Sequence, residues 1–520
     1  MSELELRQRH PIHRFAGWAG LALLCVLAAV SFTYFAYTYR FIIGLLAVGV
    51  LIAPAALFLV LSHEKARLWW ARIMVALLPL GLLFRFGSDQ VPITPATFMF
   101  LVNLFVIVLD KLQGREMASR GPTPLRKPLG IWLVTIIFST LLSRFAAHGM
   151  LELIPLLLSA SVYVYIRTKI HDERELESLV KAFTVGACYS LGSGFFELYK
   201  GQTYTADLSH ESQSITMYSD VFRVDGSFYG PNSFVYFSAS VALLYTVMFF
   251  YWKSWRWKIF SLALAVSGVV LSIFSYSRGG VVGLAAGMLF LILALPPPKK
   301  RLKMYLVIIP LALVVVIGVT MPVIGAQSRG TGLIDPRELQ QVALKAESSG
   351  EVADLISSLA RPIMWYWSLE FWKNSPIWGI GHSNFEGYFN LVMPDMFRMF
   401  GFYPRHPHNI FIYALLSTGV IGLGCLIVII AKLAGYLFGG IRHRGTFIGY
   451  FSIALMGIWV LTFVHGLVDA VFVLPLTMPL AGMFFWFLAS STFVMDAVKE
   501  RRAREKMGFS TMPAEGSPEA

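Results

Sequence analysis

Charge is what this chain lacks most. Of 520 residues only 14% are charged and 56% are hydrophobic, and the mean hydropathy is +0.65. That balance excludes a soluble globular protein, because apolar runs of about 18 residues or more read as membrane spans. Cysteine is scarce too. Cys25, Cys188 and Cys425 lie in apolar runs without ligand spacing, which excludes a disulfide framework or a cysteine metal site and leaves them as packing residues. Basic patches interleaved with surface aromatics are missing, so the net charge of +13 speaks of membrane topology and not of nucleic acid. No Asp-x-Asp or His-Glu-x-x-His spacing falls in the outer connections, so neither a metal nor another cofactor is expected. No small-residue cleavage pattern follows the first apolar run, which therefore reads as a retained span.

What is present is an all-α polytopic membrane protein of about 14 transmembrane helices (12–14). The apolar runs fall at roughly 15–37, 41–61, 68–87, 92–110, 129–147, 150–167 and 179–199 in the first half. They continue at roughly 232–252, 258–276, 279–296, 304–326, 409–434, 447–468 and 471–496. Lys and Arg collect in alternate connections, such as Lys111 to Lys127 and Lys299 to Lys303. The positive-inside rule puts those connections and both termini in the cytoplasm. The expected organisation is a membrane core over 1–326, a large periplasmic loop domain over 327–408, three closing spans over 409–498 and a basic, disordered tail over 499–520. Within the loop domain, Pro336–Leu359 has the spacing of amphipathic helices lying on the bilayer.

Lysine is nearly absent from the outer face, yet arginine is not. Arg40, Arg85, Arg144, Arg223, Arg278, Arg361, Arg398 and Arg405 all fall there. An ionisable group at membrane depth costs at least a few kcal/mol, and arginine grips phosphate with a planar fork. Snorkelling to headgroups accounts for Arg40 and Arg85. Arg278 stands at the hinge between two apolar runs, where Ser277 and Gly279-Gly280 permit a tight turn with exposed N–H groups. That is a phosphate cradle or a simple turn. Arg223 precedes Gly230-Pro231-Asn232, in which Asn232 reads as an N-cap. Arg361 opens a short amphipathic helix with Pro362 in its first turn. The glycine-shaped loop that follows carries His382, read as a solvated residue, and Asn384.

One stretch organises the rest, Tyr403-Pro-Arg-His-Pro-His-Asn409, followed at once by an apolar run. Asn409 reads as the N-cap of that span, so the positive end of the helix dipole favours anions and keeps His406 and His408 neutral. Neutral is the state of a general base. Gly419 and Gly422, three apart, read as a face on which another helix can approach closely.

These pieces in this order resemble the O-antigen ligase and polysaccharide polymerase superfamily of envelope glycosyltransferases. The residues that carry the resemblance are His408-Asn409 with Gly419 and Gly422, the Ser277–Gly280 turn, Arg223 and Gly226 with Pro231-Asn232, and the Asn374–Phe385 loop. His465 and Asp469, at the outer end of a later span, fit as well. The resemblance spans about 220–470. It implies a GT-C-related inner-membrane enzyme with a periplasmic active site. Its donor would be a glycan on undecaprenyl pyrophosphate and its acceptor the sugar hydroxyl of a glycan or glycolipid. His408 would be the base. Arg278 and Arg361, with Arg223 and Arg405, would hold the pyrophosphate, supported by His406, Asn409, Ser277, Gly279, Asn384, His465 and Asp469. Ligase and polymerase are not separated by these residues. A multi-span transporter is the alternative class, though its polar groups should gather at mid-span rather than at one surface.

Overall fold

The computed structural model describes residues 64–80, 86–87, 92–93, 95–112, 123–201, 222–228, 230–295, 349–392, 404–470 and 478–506. The expected spans at roughly 15–37, 41–61 and 304–326, the connection carrying Arg40, and the residues Arg85, Arg398 and Cys25 lie outside that set. The described helices are α1 (Glu64–Leu77), α2 (Pro95–Leu112), α3 (Arg126–Leu141), α4 (Ala146–Ser159), α5 (Ser161–Lys169), α6 (Glu173–Lys200) and α7 (Pro231–Tyr251). They continue as α8 (Trp255–Phe274), α9 (Arg278–Ala294), α10 (Ser349–Lys373), α11 (Phe385–Val392), α12 (Ile410–Ile441), α13 (Phe447–Gly466) and α14 (Met478–Lys506). Apart from a two-residue antiparallel pairing of Phe86–Gly87 with Pro92–Ile93, the described regular structure is helical.

Seven of these stretches are long and apolar enough to cross a membrane: Ala146–Lys169, Glu173–Lys200, Pro231–Tyr251, Trp255–Phe274, Ile410–Ile441, Phe447–Gly466 and Leu480–Arg501. Arg278–Ala294 and Met99–Val108 are shorter apolar helices. The core forms around α7, which is buried on every side from Ser233 to Met248 against α8, α9 and α13. Its sequence has no polar face to offer lipid headgroups or water, the pattern of a helix enclosed by others. Close approach is permitted by small residues: a Cβ on Gly268 would lie 2.5 Å from the carbonyl oxygen of Ser238. Ion pairs tie Asp110 to Lys169 and Arg167 to Asp496, joining α2 to α5 and α5 to α14 near their charged ends.

Five local expectations are corrected. The tail expected to be disordered from 499 is helical as far as Lys506, the end of α14. Pro362 does not start a helix; it lies inside α10, which begins at Ser349. Residues 349–359 of the expected surface helices are thus the opening turns of α10, and 336–348 lie outside the described residues. Cys188 is exposed on α6 rather than packed, while Cys425 is buried. Finally, α12 is broken. Gly419 has φ 63° and ψ −163°, a conformation that only glycine adopts readily. The 375–381 loop enters at that break: Ile380 and Gly381 donate N–H groups to the carbonyls of Leu416 and Ser417, and Val420 donates to Pro376. A Cβ on Gly419 would lie 2.1 Å from the carbonyl oxygen of Ile377. Gly419 therefore admits a loop backbone, while Gly422 faces Thr418 of its own helix, so the pair does not form the expected helix-packing face.

Candidate functional site

The His406–Asn409 segment is fixed before any substrate arrives. The Asn409 side chain caps α12 as its type predicts, accepting the N–H groups of Phe411 and Ile412 at 2.9 and 3.0 Å. Its Nδ2 donates to the Leu467 carbonyl at 2.8 Å, which binds the start of α12 to the end of α13. Pro407 is held from a third direction, by the indole N–H of Trp365 on α10 at 2.7 Å. Trp365 is one turn beyond Arg361, so the same helix face serves the histidine segment and carries that arginine.

His408 itself sits at φ 50°, a left-handed backbone. Its N–H donates to His406 Nδ1 at 3.1 Å, and the two imidazole centroids are 4.2 Å apart. His406 is buried, and burial pushes its pKa down to about 3, with His408 next among the causes and Asp469 opposing. Burial is what favours the neutral form of His406, whose Nδ1 is an acceptor. His408 keeps 30% of its side chain exposed, and its Nδ1 lies 3.1 Å from Asp469 Oδ1. With Nδ1–H donated to the carboxylate, Nε2 is left with its lone pair, the tautomer a base requires.

Asp469 is the hub. It is buried, four residues after the equally buried His465. Burial raises its pKa, but His408, through charge and hydrogen bond, and then His406 and His465 outweigh that and hold the carboxyl below the usual range. Oδ1 also accepts the Ala470 N–H at 2.7 Å, and Oδ2 accepts Asn232 Nδ2 at 2.6 Å. Asn232 Oδ1 in turn accepts the Ser277 hydroxyl at 2.7 Å. This corrects the expected cap: Gly230 takes the N-cap position of α7, and the Asn232 side chain spans from Asp469 to Ser277. A relay thus runs from His408 to the residue before Arg278.

Arg278 is the first residue of α9 and is exposed, as is Arg361. The glycines after Arg278 do not make the turn, which is formed at Tyr276 with φ 49°. They let α9 pack closely instead: a Cβ on Gly279 would lie 2.1 Å from Val468 Cγ2 and 3.3 Å from His465 Cδ2. Arg223 is half-buried with Nε donated to the Ser275 carbonyl at 3.0 Å. Burial lowers its pKa, and Arg361 and Arg278 act in the same direction while Asp469 opposes them. Arg278, Arg361 and Asp469 thus all lie within electrostatic reach of Arg223. Arg405 lies at the border. It acts electrostatically on His406 and also on Glu152.

Two predicted residues belong elsewhere. Asn384 is buried and donates to Ser143 Oγ and the Ile380 carbonyl, which ties its loop to the α3–α4 turn. His382 is not solvated: it is fully buried, its Nδ1 2.7 Å from the Tyr413 hydroxyl, and burial lowers its pKa to about 4. Among the described residues, the side chains that could hold a metal are His406, His408 and Asp469, whose ligand atoms lie within 4.8 Å of one another. Three arginines acting on the same pocket of charge oppose a further cation and favour an anion.

No curated protein matches the chain. A family model does. It covers residues 263–427, a stretch holding Arg278, Arg361 and His408 but not Arg223, Asn232 or Asp469. The model is that of the O-antigen ligase family, so residues 263–427 are similar to that family, in agreement with the resemblance carried by the motifs.

Proposed function

We propose that this membrane protein is an O-antigen ligase-like glycosyltransferase that moves a glycan from undecaprenyl pyrophosphate to a sugar hydroxyl at the periplasmic face of the inner membrane. The observation that carries the reading is the pairing of His408 with Asp469, linked through Asn232 and Ser277 to the arginine cluster.

Nε2 of His408 takes the proton of the acceptor hydroxyl as its oxygen attacks the anomeric carbon. Asp469 orients the imidazole and stabilises the imidazolium that forms. The bond from the anomeric carbon to the phosphate oxygen breaks, and its electron pair leaves with the pyrophosphate. Arg278, Arg361 and Arg223 take up that charge. Preorganised donors of this kind are each worth about 3 kcal/mol where water is excluded. Attack from the base side and departure on the other invert the anomeric configuration. No divalent cation is required, since the guanidinium groups neutralise the diphosphate.

The family match supports a related polymerase equally at this level. The product decides. Purified protein given a lipid-linked oligosaccharide and a glycolipid acceptor should transfer the glycan to the acceptor and release undecaprenyl pyrophosphate. A longer lipid-linked chain in its place establishes the polymerase, and no glycan transfer of either kind removes the enzymatic reading.

A further inference from the structure

Glu197 is in the wrong place by local rules. It stands in the last turn of α6, where the helix dipole disfavours a carboxylate, and it is fully buried at a site of low polarity. Its compensation comes from a distant segment. Oε2 accepts the N–H groups of both Asp225 and Gly226, at 3.1 and 2.8 Å. Two successive N–H groups converging on one oxygen form a small anion nest, and Gly226, at φ 56°, supplies the left-handed backbone that it needs. A Cβ there would lie 2.4 Å from the Phe234 ring, so position 226 has no room for a side chain.

The same turn carries Arg223, two residues before Asp225. Its other fixings lie on the α8 side, where Val224 N–H donates to the Phe274 carbonyl and Arg223 Nε to that of Ser275. Ser227 adds bonds to the Pro79 carbonyl and to the Ser190 hydroxyl on α6, both at 2.8 Å. Glu197 is the carboxyl group of this set and grips the backbone of the turn from α6.

The geometry points to Glu197 as a positioning residue that sets the Arg223 guanidinium for the anionic donor, without touching the donor itself. The inference rests on the reading of Arg223 as a pyrophosphate ligand. With Nε committed to Ser275, only the terminal nitrogens of Arg223 are free to meet an anion, and their direction follows the backbone that Glu197 holds. A glutamine at 197 retains an oxygen able to accept both N–H groups. An alanine leaves two buried donors without an acceptor.

The test is a double-mutant cycle with Glu197→Ala, Glu197→Gln, Arg223→Ala and the Glu197→Ala/Arg223→Ala pair, all on the full-length protein. Steady-state transfer gives the KM for the lipid-linked donor and for the acceptor. Hydrogen exchange over residues 222–228 reports the turn independently of activity. Expected are a donor KM raised about tenfold by Glu197→Ala and by Arg223→Ala alike, with no further rise in the pair. Exchange should quicken in Glu197→Ala, and Glu197→Gln should restore both readings most of the way with the acceptor KM unmoved. Multiplying effects in the pair, or unchanged exchange in Glu197→Ala, overturn the positioning role and leave the pyrophosphate reading standing. An unchanged donor KM in Arg223→Ala removes that reading, and the inference with it.

Discussion

Asp469 Oδ2 accepts a hydrogen bond from Asn232 at 2.6 Å, across 237 residues of sequence. The other oxygen of the same carboxylate faces His408 Nδ1. One buried side chain therefore couples the imidazole to the start of α7 and, beyond it, to Ser277. Asp469→Asn should lower kcat about 100-fold with little change in donor KM, because the amide no longer selects the Nδ1–H tautomer or stabilises the imidazolium. Single-turnover transfer in protein of unchanged thermal stability checks this. A kcat within twofold of the parent would mean that His408 is not oriented through Asp469.

The relay beyond Asp469 gives a graded expectation. Asn232→Ala removes both of its bonds and leaves Asp469 Oδ2 buried without that donor, so kcat should fall about tenfold. Ser277→Ala breaks only the outer bond and should fall by less. Comparing the two variants at saturating donor orders the effects; the reverse order would place the functional weight on Ser277.

At Arg278 the geometry of the cation is expected to matter as well as its charge. Arg278→Lys should lose about as much donor affinity as Arg278→Ala, tenfold or roughly so, since an ammonium cannot make the two-pronged contact. Donor KM measured at two ionic strengths separates the contributions, and a lysine variant matching the parent at both would reduce Arg278 to a point charge.

The break in α12 should be intolerant of a side chain. Gly419→Ala meets the Ile377 carbonyl oxygen at 2.1 Å and keeps φ at 63°, so backbone strain alone costs about 1–3 kcal/mol. Gly422→Ala meets Thr418 of its own helix but carries no left-handed backbone, and should cost less. Thermal unfolding of the two variants in detergent gives the comparison. Equal losses would mean that the loop, not the glycine, yields.

Acid should destabilise the protein through its buried imidazoles. His382 and His406 are lowered to about 4 and about 3 from 6.5. Between those values and 6.5 the unfolded chain binds more protons than the folded one, so stability rises with pH there and is lost as pH falls below about 6.5. Asp469 is lowered as well, so its share also favours the folded state at higher pH, but that share is lost only as pH falls below 3.8. Each histidine approaches about 1.4 kcal/mol per pH unit. Melting curves between pH 7 and 5 should steepen toward acid, and His382→Gln should flatten them. An unaltered slope in that variant would mean that His382 folds protonated.

Sequence was most informative where a single local rule suffices. Apolar length alone marks α7, α8, α12 and α13 as spans, and Asn409 before an apolar run is a cap on residue type alone. His465 and Asp469 were legible as a polar pair at a span end. What a one-dimensional reading cannot reach is a side chain whose partner lies in another helix. Asn232 looked like a cap because Gly-Pro-Asn suits one, yet Gly230 took that position and freed the amide for Asp469. His382 looked solvated because its loop is rich in glycine, but those glycines press the loop into the Gly419 break. Pro362 looked like a helix start, although α10 already had its first turns upstream. Glu197 gave one signal, a carboxylate in the last turn of a helix, that a dipole argument could have flagged.

The most direct measurement is glycan transfer by purified His408→Ala beside its donor affinity. The account predicts a kcat reduced by about 100-fold or more, donor binding within a few-fold of the parent, and no recovery with divalent cations. Turnover at the parent rate in that variant would contradict it.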